Sequence, residues 1–162
     1  NIVILTISDT RTKETDHSGA YLCSALKKDG HQLIAHEIIP DDINTIIGNF
    51  HEYATRQDVN VIITTGGTGL TGRDVTPEAL EAVVEKWIPG FGELFRWLSY
   101  QKIGTATIQS RACAGVFQNT FIFALPGSTG ACKDAWNGIL KQQLDINNKP
   151  CNFAQLIDRL SE

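Results

Sequence analysis

Four short segments of this chain combine glycines, hydroxyls and acids in the way phosphate chemistry needs. They are Ser8-Asp9-Thr10, Pro40-Asp41-Asp42, Gly66 to Asp74, and Pro126-Gly127-Ser128-Thr129. The third is the densest and reads Gly66-Gly67-Thr68-Gly69-Leu70-Thr71-Gly72-Arg73-Asp74. Its glycines permit positive φ and close backbone approach. Successive N–H groups in such a loop form an anion nest. Thr76-Pro77-Glu78 follows as a helix start, with Thr76 as N-cap, Pro77 at the first helical position and an acid in the first turn. The positive end of that helix would add to the nest. The bland alternative for the same glycines is a flexible surface turn.

Two nucleotide-binding motifs match in letters and fail in context. Gly67 to Gly72 fits G-x-G-x-x-G, but a dinucleotide fingerprint opens its helix directly with those glycines. Here Arg73, Asp74 and Val75 intervene. The same stretch looks like a P-loop, yet Arg73-Asp74 stands where Lys and Ser/Thr carry the magnesium chemistry.

Asp41 and Asp74 close two of the four loops. Magnesium takes one or two carboxylates, with waters and substrate phosphates completing its shell. Each aspartate alone could equally be a helix cap. Both at one pocket favour magnesium. Arg73 could pair with a phosphate or with a carboxylate of its own loop, and Ser110-Arg111 could add an anion contact. His17, His31, His36 and His51 are scattered and carry no assigned role. Cys23, Cys113, Cys132 and Cys151 form no CxxC pair and no zinc spacing, and read as reduced thiols. No Ser/His/Asp or Cys/His arrangement suggests a nucleophilic side chain.

The elements that must position these residues are legible. Ile2 to Ile7 is a nearly continuous apolar run, expected of a strand buried on both faces. A helix follows from about Ser18 to Asp29, stopped by Gly30. Gln32 to Ile39 reads as a strand. Ile43, Ile46, Ile47, Phe50 and Tyr53 then mark a helix, and Val59 to Thr64 a β-branched strand. The helix from Thr76 is expected to run until Pro89-Gly90 breaks it. Phe91 to Tyr100 forms the next, with Phe91, Leu94, Phe95 and Leu98 as its stripe. Gly115 to Phe117 and Thr120 to Leu125 read as strands joined at Gln118-Asn119, followed by a helix through Ala131, Trp136, Ile139 and Leu140. Trp87, Trp97 and Trp136 are expected in the core or at a subunit interface. Alternating strands and helices predict a mostly parallel sheet covered on both faces. Ligands of such sheets bind beyond the carboxyl ends of the strands, where the four loops should gather.

Composition agrees with one globular domain over residues 1–162. The chain is 42% hydrophobic and 20% charged, with a formal net charge of −4. A net negative chain argues against a nucleic-acid partner. No run of about 18 apolar residues predicts a membrane span. The opening Asn1-Ile2-Val3-Ile4-Leu5 reads as a strand rather than a signal peptide, so the expected compartment is the cytoplasm.

Together the segments resemble a known family. Thr64-Thr65-Gly66-Gly67-Thr68-Gly69, then Arg73-Asp74-Val75-Thr76-Pro77-Glu78-Ala79, is similar to the signature of the MoaB/MogA molybdopterin-binding family. The resemblance extends to Ile7-Ser8-Asp9, Pro40-Asp41, Pro89-Gly90-Phe91-Gly92-Glu93, Ser110-Arg111 and Leu125-Pro126-Gly127. Pro126-Gly127-Ser128-Thr129 and Lys149-Pro150-Cys151-Asn152-Phe153 resemble its MoaB branch. The resemblance implies a three-layer α/β/α sandwich. It implies transfer of AMP from ATP to the phosphate of molybdopterin, with magnesium, releasing pyrophosphate. It carries the catalytic and metal roles onto Asp41 and Asp74 and a substrate-site role onto Ser110. It also implies a homo-oligomer, a trimer or a dimer of trimers, with other cofactor-biosynthesis proteins as candidate partners. Some members of the branch are inactive and depart from the Arg-Asp-Val-Thr-Pro pattern, which this chain keeps at 73–77. A non-catalytic molybdopterin-binding or carrier protein is the alternative.

Overall fold

Strand β1 (Ile2–Ile7) is buried at every position. Ile2 and Ile4 enter one apolar cluster, and Val3, Leu5 and Ile7 enter another. Alternate side chains of a strand face opposite sides of the sheet, so an unbroken apolar run requires cover on both. The computed structural model describes residues 1–162. It supplies that cover with helices α1 (His17–Lys28), α4 (Pro89–Ile103) and α5 (Thr129–Ala135) on one face. Helices α2 (Ile43–Ala54) and α3 (Thr76–Glu81) cover the other. The remaining strands are β2 (Leu33–Ile39), β3 (Val61–Thr65), β4 (Lys86–Trp87), β5 (Cys113–Phe117) and β6 (Thr120–Leu125).

The strands form one sheet in the order β2-β1-β3-β6-β5-β4. Strands β2, β1, β3 and β6 are parallel, while β5 runs antiparallel to both β6 and β4. This is the expected three-layer sandwich with a mostly parallel sheet. The turn joining β5 to β6 has positive φ at Gln118 (46°) and Asn119 (66°), matching the twist of an antiparallel pair. After α5 the chain passes through a π turn at Trp136–Leu140 into α6 (Lys141–Gln143). No helix is long and apolar enough to cross a membrane.

Two expectations fail around α3. The helix stops at Glu81 instead of continuing to Pro89. Beyond it, Glu85 N donates to Val116 O at 2.9 Å and Ile88 N to Ala114 O at 2.8 Å, making Lys86–Trp87 an edge strand. The amides of Val83 and Val84 both donate to Leu80 O, at 3.1 and 2.8 Å, closing the helix in a turn before the strand. Pro89-Gly90 therefore opens α4 rather than breaking its predecessor, since proline is preset for the first helical turn. Of the three tryptophans only Trp136 is in the core; Trp87 is 46% and Trp97 61% exposed. Leu94, expected on the buried stripe of α4, is exposed as well.

Candidate functional site

Strands β1, β3 and β6 end side by side, with Thr6 opposite Thr65 and Thr65 opposite Leu125. The loops after them, Ser8-Asp9, Gly66–Asp74 and Pro126-Gly127, therefore meet at one edge. Two glycines are obligatory there. Gly66 has φ 113°, and a Cβ on it would lie 2.2 Å from the Ile7 carbonyl oxygen. Gly67 has φ 64°, and its Cβ would stand 2.4 Å from Thr76 Oγ1 and 3.2 Å from Asp41 Oδ1. Gly69 and Gly72 do not use the positive φ that glycine permits. The amides of Gly67 and Thr68 donate to no protein acceptor, as an anion nest requires.

Thr76 is not the N-cap expected of it. Its hydroxyl donates to Gly66 O at 2.9 Å and its amide to Gly67 O at 3.0 Å. Val75 occupies the cap position, and Pro77 is the second residue of a helix six residues long. The helix amide that was to face an anion is consumed by the loop, so the nest depends on the loop amides instead. Arg111 holds the loop's far side. Its Nε donates to Gly69 O at 2.7 Å, its Nη2 to Asp74 O at 2.7 Å, and its Nη1 pairs with Glu78. Its amide donates to Thr68 O at 3.0 Å, which sets Ser110 beside the nest. Arg111 is thus a clamp and not the free anion contact anticipated, and Glu78 is its counter-ion.

The acids divide by role. Asp42 caps α2, accepting from Thr45 N at 2.8 Å, which leaves Asp41 free of that task. Asp9 and Asp41 are joined reciprocally, each backbone amide donating to the other's carboxylate at 3.1 Å. Arg73 pairs with Asp9, not with a carboxylate of its own loop. Asp74 accepts from Thr71 N at 2.8 Å and Thr71 Oγ1 at 2.6 Å. These bonds, the hydroxyl first, hold its carboxyl below the usual range. Burial pushes Asp41 up, and the charges of Asp9 and Asp74 add to the rise. No three metal-ligating side chains converge. A half-buried carboxylate facing two like charges still fits a hydrated divalent cation, which needs only one or two carboxylates where phosphates complete the shell.

A cavity of about 320 Å³ opens on the other flank of β1, and only Ile7 among its lining residues is apolar. Ser8, Thr10, Arg11, Ser18, Ser128 and Thr129 contribute to its walls. Pro126 and Gly127 shape it through their carbonyls, which accept from Thr65 Oγ1 at 3.0 Å and Ser18 Oγ at 2.9 Å. Asp16 forms its floor, 3% exposed. Asp16 accepts from Thr6 Oγ1 at 2.6 Å and Gly19 N at 2.8 Å, and His36 Nε2 lies 2.9 Å away. Residue types alone singled out neither Asp16 nor His36. The available signal was the position of Asp16 as N-cap of α1, which makes an acid next to the edge of the sheet.

Comparison with known proteins follows the same outline. Residues 3–145 match the family described as "Probable molybdopterin binding domain". Molybdenum cofactor biosynthesis protein B of Escherichia coli K12 is 46% identical over 152 residues, covering 94% of this chain and 89% of that protein. The protein of the same name from Bacillus subtilis is 44% identical over 142 residues, covering 87% and 84%. A crystal structure of a molybdenum cofactor biosynthesis protein B superposes with TM-score 0.89 at 41% identity, covering 99% of this chain and 94% of the other. The tungsten cofactor synthesizing protein MoaB from Pyrococcus furiosus gives TM-score 0.81 at 30% identity, covering 99% and 96%.

Proposed function

The chain belongs to the molybdopterin-binding domain family, and from that premise we propose that it serves molybdenum cofactor biosynthesis as a magnesium-dependent adenylyltransferase acting on molybdopterin. A phosphate oxygen of molybdopterin attacks the α-phosphorus of ATP. The bond to the bridging oxygen breaks and pyrophosphate leaves, giving adenylyl-molybdopterin. The observation that carries this reading is that the amides of Gly67 and Thr68 have no protein acceptor while the Asp41 carboxylate lies against Gly67. An anion nest beside a half-buried acid suits phosphate and a divalent cation together, whereas a phosphate site alone has no use for the acid.

Asp41 and Asp74 would hold magnesium, which when bound neutralises charge on the transferring phosphates. The amides of Gly67 and Thr68 bind a phosphate, and Ser110 bounds the site on the side of Thr68. Ser8 and Asp9 border the nest, and Asp9 anchors Arg73 at the rim. In-line transfer depends on positioning and charge neutralisation, so no nucleophilic side chain is required. One observation favours a second reading: Asp74 is already engaged by Thr71, as in a loop built only to bind. That protein would hold or carry molybdopterin without transfer.

The two readings separate in one assay. The purified protein, incubated with molybdopterin, ATP and magnesium, forms the AMP adduct and pyrophosphate. Asp41→Asn and Asp74→Asn abolish the adduct and keep the circular dichroism spectrum of the parent. Bound molybdopterin with no adduct in the parent protein overturns the enzyme and leaves the carrier.

A further inference from the structure

We propose that β2 pairs antiparallel with β2 of a second copy, about a two-fold axis through His36, so that one sheet runs on through two molecules. This contact stands apart from the reaction proposed above.

β2 ends the sheet, with β1 on one side and no strand on the other. Ser8 N donates to Ile39 O at 2.9 Å. Backbone groups along a strand point alternately to its two sides, so Ile39, Glu37 and Ala35 turn theirs toward β1. His36 and Ile38 turn theirs outward. Ile34, the extra residue where the register shifts, has no partner in β1 either. Such an edge is a template for another strand unless lysine, proline or shortness blocks it. β2 is seven residues long and apolar everywhere except His36 and Glu37.

Parity and charge choose the register. Residues opposite each other in a sheet face the same side, so a two-fold axis normal to the sheet passes through a residue. His36 is the middle of β2, and only an axis there overlaps the whole strand. Ile38 then lies opposite Ile34 of the second copy, and Glu37 opposite its Ala35. An axis at Glu37 would set two carboxylates face to face, which like charges resist. An axis at Ile38 would spend Pro40, which has no N–H. His36 itself does not crowd the axis, because its Nε2 is turned inward, 2.9 Å from Asp16. The ends of the strand also match. Asp41 and Asp42 follow β2, and the exposed Lys27 and Lys28 close the helix before it. Asp29, between those lysines and the strand, is already held by Trp136 and Lys141. An antiparallel pair therefore brings the lysines of one copy toward the aspartates of the other.

The test is site-resolved amide exchange on the parent protein, with light scattering on the parent and Ile38→Pro. In the pair, His36 and Ile38 exchange as slowly as Ala35 and Glu37, whose amides are bonded to β1. Alternation, with His36 and Ile38 at least about a hundredfold faster than those neighbours, overturns the proposal. Ile38→Pro removes an outward N–H that the chain does not use, a place where an edge strand tolerates proline. The variant keeps the circular dichroism spectrum of the parent and has half its mass, since losing a two-fold contact divides the assembly into equal parts. A folded variant of unchanged mass overturns the proposal, as does a parent with the mass of one chain. Should Ile38→Pro fail to fold, the exchange pattern of the parent decides alone.

Discussion

Arg111 shows how much of a site can rest on one side chain that never meets a ligand. Its fork closes the glycine loop onto Gly69, Asp74 and Glu78. Lysine is a point charge and cannot reproduce that geometry. Arg111→Lys should cost about 1–3 kcal/mol in urea unfolding and speed amide exchange at 66–74. Glu78 is held below its usual range, first by the Arg111 bond. Its stabilising contribution is present above the ordinary glutamate range and is lost as pH falls through the depressed value. The stability gap between parent and Arg111→Lys should therefore narrow in acid, and a gap constant with pH would deny the ion pair its role. Gly67→Ala forces positive φ on alanine and drives its methyl into Thr76 and Asp41; a loss of more than about 1 kcal/mol is expected, together with loss of phosphate binding. Residue types announced the loop, the two aspartates and the small flanking residues. They could not announce partners. Arg73 read equally as a phosphate contact or as the partner of a carboxylate in its own loop, and Arg111 as a further anion contact; they are instead occupied by Asp9 from another loop and by Glu78 and loop carbonyls, because pairing depends on which loops become neighbours.

The elements were legible where burial is two-sided or one-sided without ambiguity. β1, β3 and β6 are rich in apolar and β-branched residues, are buried at every position and form the centre of the sheet. The hairpin turn at Gln118-Asn119 was legible because asparagine tolerates positive φ and the pair separates two apolar runs. The stretch 82–88 was not: a short edge strand has no alternation long enough to distinguish it from the end of a helix. Asp29 is an element-scale device that periodicity does not reveal. Just past α1, it accepts from Trp136 Nε1 and Lys141 Nζ, both at 2.9 Å, tying α1 to the C-terminal helical segment. Lys141 and then Trp136 hold its carboxyl below the usual range. Its contribution is complete above about pH 4, the unfolded aspartate value, and is lost as pH falls through the lower folded one. Asp29→Asn should lower stability at neutral pH and converge on the parent in acid denaturation followed by circular dichroism. Trp136→Ala, which empties a fully buried site, should cost about 3–5 kcal/mol.

At the scale of the whole molecule, the gathering of four loops at one edge follows from parallel strands with helices between them. Topology was therefore the part of the site most open to inference from sequence. Assembly was not, since a single chain does not say what covers its surface. Helix α4 carries Leu94, Trp97, Tyr100 and Ile103, exposed by 42%, 61%, 57% and 56%. Neighbouring exposed apolar residues of this size mark contact surfaces, and we propose that this face is buried between copies of the chain. Trp97→Glu should reduce the mass measured by light scattering without changing the circular dichroism spectrum. An unchanged mass would remove α4 from the interface.

The turn at Gln118-Asn119 lies at the opposite end of β6 from Pro126-Gly127, and so at the far edge of the sheet from every loop of the candidate site. Two exposed residues there connect paired strands and touch neither the nest nor the carboxylates. A cysteine introduced at Asn119 for a fluorophore, or a short tag inserted after it, gives a handle for immobilising or tracking the protein while the loop edge of the sheet stays open.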